Sequence, residues 1–543
     1  MIAHSHGRGG EAWKCFTPRD CDAWGAGMRR HSPCMLAAIR SASVQGIDAY
    51  DVTVEVDCAR GLPQWTIVGL PAGAVKESRE RVGAALVNSG FELPSRRITI
   101  NLAPADIRKD GTAFDLPIAL GILLATGQLH AEACANVVAA GELGLDGMLR
   151  AIRGALPVAR RVAAAHGDLT LVLPRPNVPE ARLVSSAKLS APATLAELVG
   201  SLRRRVLPDA PRTVVLASEQ THDTDFSDVA GQASAKRALE IAAAGGHNLI
   251  MIGPPGAGKT MLARRLPGIL PALSEDEALE VTAIQSVAGL LGANAPLSRA
   301  RPFRAPHHTI SDAGLLGGGN PPRPGEVSLA HHGVLFLDEM LEFRRHVVEG
   351  LRQPMEEGRI AISRAAAAVR FPARFTLVGA MNPCPCGHAG DAAGNCHCAA
   401  SDIVRYRSRL SGPMADRVDM HVHVGSVSIR DLQGNVRGEP SRAIRDRVAR
   451  ARVLQMERFA GIASVASNGQ APARWLDEHG AIASVARALL AAAAEQHGLT
   501  ARAYHRVLRV ARTIADLDGA AIVAPAHVAE ALRYRPVVAP PQS

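Results

Sequence analysis

The chain has 543 residues, which at about 150 residues per domain predicts three to four domains and excludes a small peptide-like module. Its 61 Lys and Arg residues against 51 Asp and Glu residues give a net charge of +10, which favours a polyanionic partner such as nucleic acid. Hydrophobic residues at 47% exclude wholesale disorder, and aromatic residues at only 3% argue against an extended base-stacking surface. Any nucleic acid should therefore be held mainly by its phosphates.

The beginning of the chain has no periodic pattern. Residues 1–34 are rich in Gly, His, Arg and Cys, and we expect a disordered extension there. This stretch lacks the apolar core of a secretory signal, which predicts a cytoplasmic protein. No run of about 18 uncharged apolar residues occurs, so no membrane partner is predicted.

Residues 35–205 read as an α/β domain. Alternating runs such as Asp51–Val56 and Arg97–Leu102 predict strands, and Ala74–Ser89 predicts a helix between them. A basic triplet, two prolines and a polar run follow, so residues 206–226 are interpreted as a linker.

Residues 227–425 are predicted to form a second α/β domain. It contains two apolar strands, Asn248–Ile252 and Val334–Leu337, and each ends in a turn with chemically active side chains.

The remainder of the chain is helical in character. Ser441–Phe459 and Ala481–Gln496 carry apolar residues at three- and four-residue spacing. We interpret residues 426–537 as a helical lid and residues 538–543 as a frayed tail.

A phosphate loop follows the first apolar strand and precedes the helical run Met261–Leu266. Glycines let backbone N–H groups wrap phosphates, the lysine neutralises the β/γ charge, and the threonine hydroxyl binds Mg²⁺. The alternative is a Gly-rich turn without a ligand. The pattern predicts an ATP site formed by Gly253, Pro254, Pro255, Gly256, Ala257, Gly258, Lys259 and Thr260.

Two adjacent carboxylates end the second apolar strand. Asp338 is placed to hold Mg²⁺ or its water, and Glu339 to polarise an attacking water. Such a strand end is common by itself, but downstream of a phosphate loop it predicts an ATPase.

Three further residues carry a resemblance to the AAA+ family. Asn382 follows the apolar run Phe375–Ala380 and resembles the first sensor of these motors. Arg417 resembles their arginine finger, which enters a neighbouring subunit's site and stabilises transition-state charge. A salt bridge with a neighbouring Asp is the alternative for Arg417. Arg502 resembles the second sensor, a nucleotide contact, with Arg506 as its rival.

Longer motifs narrow the resemblance. Arg301–His308, Leu316–Gly319 and Pro324–His332 resemble the magnesium-chelatase-like branch of AAA+ proteins, and the chain from Met35 onward is similar to the YifB/ComM family. This resemblance implies a Lon-protease-like (S5-type) N-terminal domain, an AAA+ motor and a C-terminal lid. It also implies a hexameric, ATP-driven DNA motor that promotes branch migration of recombination intermediates, single-stranded or branched, in natural transformation.

The Lon-like half lacks the nucleophile that the resemblance would require. The position that matches the serine of Lon proteases is Ala113, and without a hydroxyl there is no Ser-Lys nucleophile. Thr112, one position earlier, is the only shifted alternative considered. We expect an inactive protease fold that serves assembly or DNA handling.

Four of the nine cysteines fall within residues 384–398. Cys384, Cys386, Cys396 and Cys398 form two C-x-C pairs that can close a tetrahedral structural zinc site, with His388 or His397 as substitutes. The alternative is a set of free thiols on a loop.

Two other patterns allow a functional and a structural interpretation. Residues 358–372 predict a β-hairpin whose Arg364 and Arg370 would reach DNA phosphates in the pore, or else a solvated hairpin. The pairs His307–His308 and His331–His332 are interpreted as packing or hydrogen-bonding groups rather than metal ligands, because no carboxylate is spaced with them.

Three classes of function share this ATPase chemistry. They are a DNA motor, the motor subunit of a metal chelatase, and a protein unfoldase or protease. Basic charge, the arginine-bearing hairpin and the resemblance over nearly the whole chain favour the DNA motor. Since an arginine finger acts on a neighbour, a homo-hexamer is expected.

Overall fold

A computed structural model of the protein describes residues 36–165, 167–211, 224–292, 297, 299–364, 367–390, 396–426, 438–462 and 465–535. The extension predicted for residues 1–34 and the tail predicted for 538–543 lie outside this part of the chain. Residues 212–223 of the predicted linker also lie outside it.

The N-terminal part contains a seven-stranded mixed sheet in the order β3-β4-β2-β1-β5-β8-β9 and a separate pair, β6-β7. Its strands are β1 (Leu36–Gln45), β2 (Asp48–Ala59), β3 (Gln64–Val68), β4 (Arg97–Ala103), β5 (Val137–Ala139), β6 (Glu142–Leu143), β7 (Leu149–Arg150), β8 (Thr170–Val172) and β9 (Lys188–Ser190). Its helices, including short 3₁₀ turns, are Gly73–Lys76, Ser78–Asn88, Asp115–Ala125, Ala131–Cys134, Ala155–Ala164, Arg175–Asn177, Val178–Ala181 and Leu195–Arg203.

Sequence alternation explains how this sheet is covered. Val52, Val54, Val56 and Cys58 of β2 are buried while the residues between them are partly exposed. The helix Asp115–Ala125, which is buried along nearly its whole length, packs on this face. The predicted strands in β2 and β4 are confirmed, and the predicted helix over 74–89 is present as two shorter helices.

A five-stranded sheet forms the middle of the chain, with the order β11-β14-β17-β10-β18 and all neighbouring strands parallel. Its strands, together with the hairpins β12-β13 and β15-β16, are β10 (Leu249–Ile252), β11 (Phe303–Arg304), β12 (Gly317–Gly318), β13 (Arg323–Pro324), β14 (Val334–Leu337), β15 (Arg359–Arg364), β16 (Ala367–Pro372), β17 (Thr376–Met381) and β18 (Met420–His423). Parallel strands end at one edge, so loops after β10, β14 and β17 meet there. The strands predicted at β10 and β14 and the predicted hairpin are confirmed.

Helices cover both faces of this sheet and make up the C-terminal part. In the middle of the chain they are Phe226–Asp228, Ala233–Gly245, Lys259–Ile269, Glu275–Ala288, Asp312–Leu316, Glu326–Leu329, Met340–Glu342, Arg345–Glu349, Arg352–Glu357, Ala400–Arg407 and Gly412–Ala415. Toward the C terminus they are Ser441–Arg458, Asn468–Gln470, Ala473–His479, Ser484–His497, Ala501–Leu517 and Pro525–Leu532.

The C-terminal helices share a core with the central sheet. One continuous cluster of buried apolar side chains joins the helices Ala233–Gly245, Ser441–Arg458 and Ala501–Leu517. The helix predicted over 481–496 begins later, at Ser484, because Ala481 has a positive φ of 48° and Ile482 forms a bridge with Val523. The helical character predicted for this part is confirmed.

The N-terminal sheet contacts the central domain at the β15-β16 hairpin. A Cβ at Gly46, in the β1-β2 turn, would lie 2.7 Å from the Arg370 carbonyl oxygen, and Ile47 packs against the apolar cluster of the hairpin. A second contact is the hydrogen bond that Ser286 Oγ donates to Glu180 Oε2, at 2.6 Å. The two domains therefore meet through the middle of the hairpin and the helix Glu275–Ala288.

Among the helices in the described part of the chain, none is long and apolar enough to cross a membrane.

Candidate functional site

The loop after β10 surrounds the amine of Lys259. Lys259 is only 9% exposed and begins the helix Lys259–Ile269. Its Nζ donates to the carbonyl oxygens of Gly253 (2.6 Å) and Pro254 (2.9 Å), and to Asn382 Oδ1 at 3.2 Å. Burial lowers the pKa of this amine, while Asp338 and Glu339 oppose that shift. The structure thus brings the predicted lysine and the predicted sensor amide together.

The loop of residues 253–258, here called the cradle, has the open shape that a phosphate chain requires. Gly256 and Gly258 have positive φ values of 75° and 86°, which a residue with a Cβ rarely adopts. A Cβ at either glycine would meet no atom of the described residues within 4 Å, so these residues leave the space beside this backbone open. Together with the Lys259 amine and the start of the following helix, this shape fits a polyphosphate.

Two contacts hold the ends of the cradle. A Cβ at Gly253 would lie 2.1 Å from the Val424 carbonyl oxygen, so the loop can leave the sheet only through a glycine. Gln232 Nε2 donates to the carbonyl oxygens of Ala257 (3.3 Å) and Gly425 (2.6 Å). Gln232 was not predicted from the sequence, because it lies 25 residues from Ala257 and follows no spacing rule.

The carboxylates after β14 face the same cradle. Thr260 Oγ1 donates to Asp338 Oδ2 at 2.7 Å, which brings together the two oxygen ligands predicted for Mg²⁺. Glu339 has a positive φ of 51°, and its side chain is 59% exposed. The Nδ1 atom of His308 lies 3.6 Å from Glu339 Oε2, a neighbour that the sequence did not predict. This arrangement suits a hydrated cation beside an acid open to water.

The predicted arginines lie at the other end of the sheet. Asn248 directly precedes β10, and its Nδ2 donates to the Arg417 carbonyl oxygen at 3.4 Å. Arg417 Nη1 donates to Pro413 O at 2.7 Å, and Nη2 pairs with Glu356 rather than with the neighbouring aspartates considered from sequence. The cradle lies beyond the opposite end of β10, so Arg417 does not face its own phosphate loop.

Arg417 shares a cleft of about 640 Å³ with other arginines, namely Arg374, Arg502, Arg506 and Arg509. Arg506 Nη1 donates to the Val418 carbonyl oxygen at 3.1 Å, whereas Arg502 is exposed at the start of the helix Ala501–Leu517. Both candidates for a second sensor therefore lie away from the cradle of their own chain.

The four clustered cysteines converge as predicted. Cys384 Sγ lies 3.3 Å from Cys386 Sγ and 3.8 Å from Cys396 Sγ, and Cys386 Sγ lies 3.7 Å from Cys396 Sγ. With Cys398, all four sulfurs lie within 4.8 Å of one another. This set can hold a metal ion, whereas the substitutes His388 and His397 are not part of it.

A second cluster contains the carboxylate that the sequence analysis did not find. His331 Nε2 and His332 Nε2 each lie 3.0 Å from Glu280 Oε2. The Arg374 backbone N–H donates to His331 Nδ1 at 2.9 Å, so the ring proton of a neutral His331 is on Nε2, which points to Glu280. The hydrogen-bonding interpretation is confirmed, but its stated reason, the lack of a carboxylate, was wrong.

The other predicted residues lie outside this cradle. The Thr112 hydroxyl donates to the Glu142 carboxylate, and Ala113 is a partly buried neighbour of a small apolar cluster. Arg370 is exposed and pairs in register with Ala361 across the hairpin. Arg364 ends β15, and its side chain lies outside the described residues.

The cradle, the adjacent carboxylates and the all-parallel sheet define a P-loop domain of the AAA+ type. Family models match three segments: "Magnesium chelatase, subunit ChlI" matches residues 225–432, "Subunit ChlI of Mg-chelatase" matches 54–177, and "Magnesium chelatase, subunit ChlI C-terminal" matches 438–535.

Relatives that align over nearly their whole length assign the chain to one family within this class. The chain is 44% identical to "Competence protein ComM" of Haemophilus influenzae, over 93% of this chain and 98% of the relative. It is 41% identical to "Uncharacterized protein YifB" of Escherichia coli, over 92% and 97%. The chain belongs to the YifB/ComM family of magnesium-chelatase-like AAA+ proteins. By contrast, the "Magnesium-chelatase 38 kDa subunit" of Rhodobacter capsulatus is 28% identical over 29% of this chain and 50% of its own.

The buried His331 should make folding sensitive to acid. His331 is 1% exposed, and burial lowers its pKa to about 4. Between pH 6.5 and about 4 the unfolded chain takes up a proton here that the folded chain does not. The free energy of unfolding should therefore fall on acidification across this window, with a slope of at most about 1.4 kcal/mol per pH unit from this group.

Urea unfolding at several pH values, with and without His331→Gln, measures this contribution. The variant should show a shallower loss of stability on acidification than the wild type. Equal slopes would mean that His331 does not stay neutral in the folded protein.

Proposed function

We propose that the protein is an ATP-driven hexameric DNA motor of the helicase or branch-migration type, acting on recombination intermediates in natural transformation. The observation that carries the ATPase part is the meeting of Lys259, Asn382, Thr260 and Asp338 where three parallel strands end. Family membership with a competence protein supports the DNA part.

Within this proposal, the chain's own groups divide the work of ATP hydrolysis. Lys259 exchanges its loop carbonyl partners for the β/γ-phosphates, and the backbone N–H groups of Gly256 and Gly258 bind phosphate oxygens. Thr260 and Asp338 would hold Mg²⁺, which would neutralise charge on the phosphates. Glu339 accepts hydrogen bonds from the attacking water, and Asn382 orients the γ-phosphate or that water.

The placement of the arginines supports a multi-subunit machine. Arg417 and Arg502 line one cleft at the amino end of the sheet, away from their own cradle. In a ring, this cleft would meet the carboxyl end of a neighbour's sheet, where the neighbour's phosphate loop lies. We infer that Arg417 stabilises transition-state charge in the neighbouring site, and that Arg502 or Arg506 contacts the same neighbour's nucleotide.

Contact with DNA is assigned to the β15-β16 hairpin. Arg370 is exposed on β16, and the net charge of +10 favours a polyanion. The N-terminal sheet contacts the middle of this hairpin through Gly46 and Ile47. A second domain thus supports the backbone of the hairpin at Arg370, and the side chains of Arg364 and Arg370 would contact phosphates in the pore.

The N-terminal domain is proposed to have no protease activity. Ala113 offers no hydroxyl, and the single hydroxyl hydrogen of Thr112 is engaged in a hydrogen bond to the Glu142 carboxylate, not to the amine of a Ser-Lys type of site. A role in assembly or DNA handling for this Lon-protease-like domain agrees with its contacts to the hairpin and to the helix Glu275–Ala288.

Zinc is proposed as a structural ion beside ATP and Mg²⁺. A tetrahedral site with Zn–S bonds of about 2.3 Å places its sulfurs roughly 3.8 Å apart. The spacings of 3.3, 3.8 and 3.7 Å among three of the cysteines are close to this value. Four protein ligands leave no open position, so this ion would have no catalytic role.

A metal-chelatase motor is the second candidate, since the family models carry that name. The magnesium-chelatase subunit of Rhodobacter capsulatus aligns with 29% of the chain, whereas the competence protein of Haemophilus influenzae aligns with 93%. An unfoldase shares the same ATPase groups, but no observation favours it.

ATP hydrolysis by the purified protein, alone and with single-stranded or forked DNA, tests the proposal. DNA should raise the rate of ATP hydrolysis. Lys259→Ala should abolish hydrolysis with and without DNA, because no other cation is described among the groups that contact this lysine. A steady rate that is indifferent to DNA would contradict the DNA motor and favour coupling to a protein or to metal insertion.

The arginine proposal has its own test in mixed subunits. Arg417→Ala should bind ATP normally and lose turnover by about 1,000-fold, the scale of an arginine finger. Glu339→Gln should bind ATP but leave its own site inactive. Mixing the two variants should restore hydrolysis. The Glu339→Gln subunits supply Arg417 to neighbouring Arg417→Ala subunits, whose own sites retain Glu339.

The control for this experiment is Arg405→Ala, which removes an arginine that is 83% exposed and pairs with Asp402 in its own helix. It should turn over like the wild type. If the mixture is as inactive as its components, or if Arg417→Ala alone is fully active, the finger assignment is wrong.

A further inference from the structure

The loop that carries Cys384 and Cys386, here called the cysteine loop, lies directly against the phosphate loop. Gly387, between the two cysteine pairs, is buried and has a positive φ of 85°. A Cβ at this position would lie 2.6 Å from Pro255 Cδ and 2.9 Å from Pro255 Cγ. The backbone at Gly387 therefore packs against Pro255 of the phosphate loop, so closely that there is no room for a side chain at position 387.

The same loop is attached to the site at its beginning. Asn382, whose amide oxygen accepts from Lys259 Nζ at 3.2 Å, lies two positions before Cys384. Between them, the Pro383 carbonyl oxygen accepts from Arg407 Nε at 3.1 Å. A shift of Cys384 would therefore be transmitted to the amide that contacts the buried lysine.

The end of the loop is attached to a separate element. Cys398 directly precedes the cap of the helix Ala400–Arg407. A metal ion bound by Cys384, Cys386, Cys396 and Cys398 would thus join the end of β17 to this helix. Within the first half of the loop, the Gly387 N–H donates to Cys384 O at 3.0 Å and the Ala389 N–H to Cys384 Sγ at 3.2 Å.

We propose that zinc on the four cysteines fixes Gly387 against Pro255, so that the shape of the phosphate loop, and hence its nucleotide affinity, depends on an occupied metal site. This inference rests on the proposed ATPase function and adds a positioning role for a metal that touches no reacting atom. A zinc site that only stabilised its own loop would leave nucleotide affinity unchanged when the contact with Pro255 is altered.

Two glycines of this loop allow a matched test. Gly387 and Gly390 have similar positive φ values of 85° and 82°, so alanine strains the backbone similarly at both. The new Cβ would meet Pro255 only at Gly387, because no atom of the described residues lies within 4 Å of a Cβ at Gly390. Both substitutions leave all four thiols in place.

The measurements are zinc content by elemental analysis and the dissociation constant of a fluorescent ATP analogue. Wild type, Gly387→Ala and Gly390→Ala should each hold one zinc per chain. Gly387→Ala should bind the analogue about 10- to 100-fold more weakly, the scale of one lost hydrogen bond to a charged group, and Gly390→Ala should bind like the wild type. Cys386→Ser should lose both zinc and affinity.

The outcomes separate the claims. Wild-type protein without zinc overturns the metal site, and zinc-loaded Gly387→Ala with normal affinity overturns the coupling. Equal weakening in Gly387→Ala and Gly390→Ala also overturns the coupling, because backbone strain alone would then explain it. Wild-type protein that holds zinc but binds no nucleotide overturns the proposed ATPase instead.

Discussion

The site depends on one buried cation, the amine of Lys259. With only 9% of the residue exposed, this group cannot rely on water and must be surrounded by oxygen atoms. The Gly253 and Pro254 carbonyls and the Asn382 amide provide them, and burial lowers the pKa of the amine. A loop that presents N–H groups and a partly desolvated cation on one side is suited to binding an anion. The parallel pairing of β10, β17 and β14 brings these groups together.

A parallel sheet has two chemically different ends, and each end of this sheet carries its own set of polar side chains. Lys259, Thr260 and the carboxylates lie at the carboxyl ends of the strands, and an arginine-lined cleft lies at their amino ends. Neither end completes the other within one chain, because β10 separates them. This division explains why a ring, in which unlike ends of neighbouring subunits face each other, is the proposed working form.

Local patterns in the sequence were sufficient for the groups that follow strands directly. The phosphate loop, Asp338 and Asn382 lie beside short apolar strands, and their contacts follow from parallel pairing. Partners that meet through tertiary packing could not be predicted in this way. Glu280 reaches His331 across 51 positions, and Glu356 reaches Arg417 across 61. The beginning of the helix at Ser484 was missed because a bridge to Val523 overrides local helix preference.

Displacement of a labelled strand from a forked duplex shows whether ATP hydrolysis is coupled to movement along DNA. We expect displacement with ATP and Mg²⁺, and none with a non-hydrolysable analogue or with Glu339→Gln, since both permit binding without turnover. Protein that hydrolyses ATP but never displaces the strand, or that displaces it equally well without hydrolysis, would not be a DNA motor of this type.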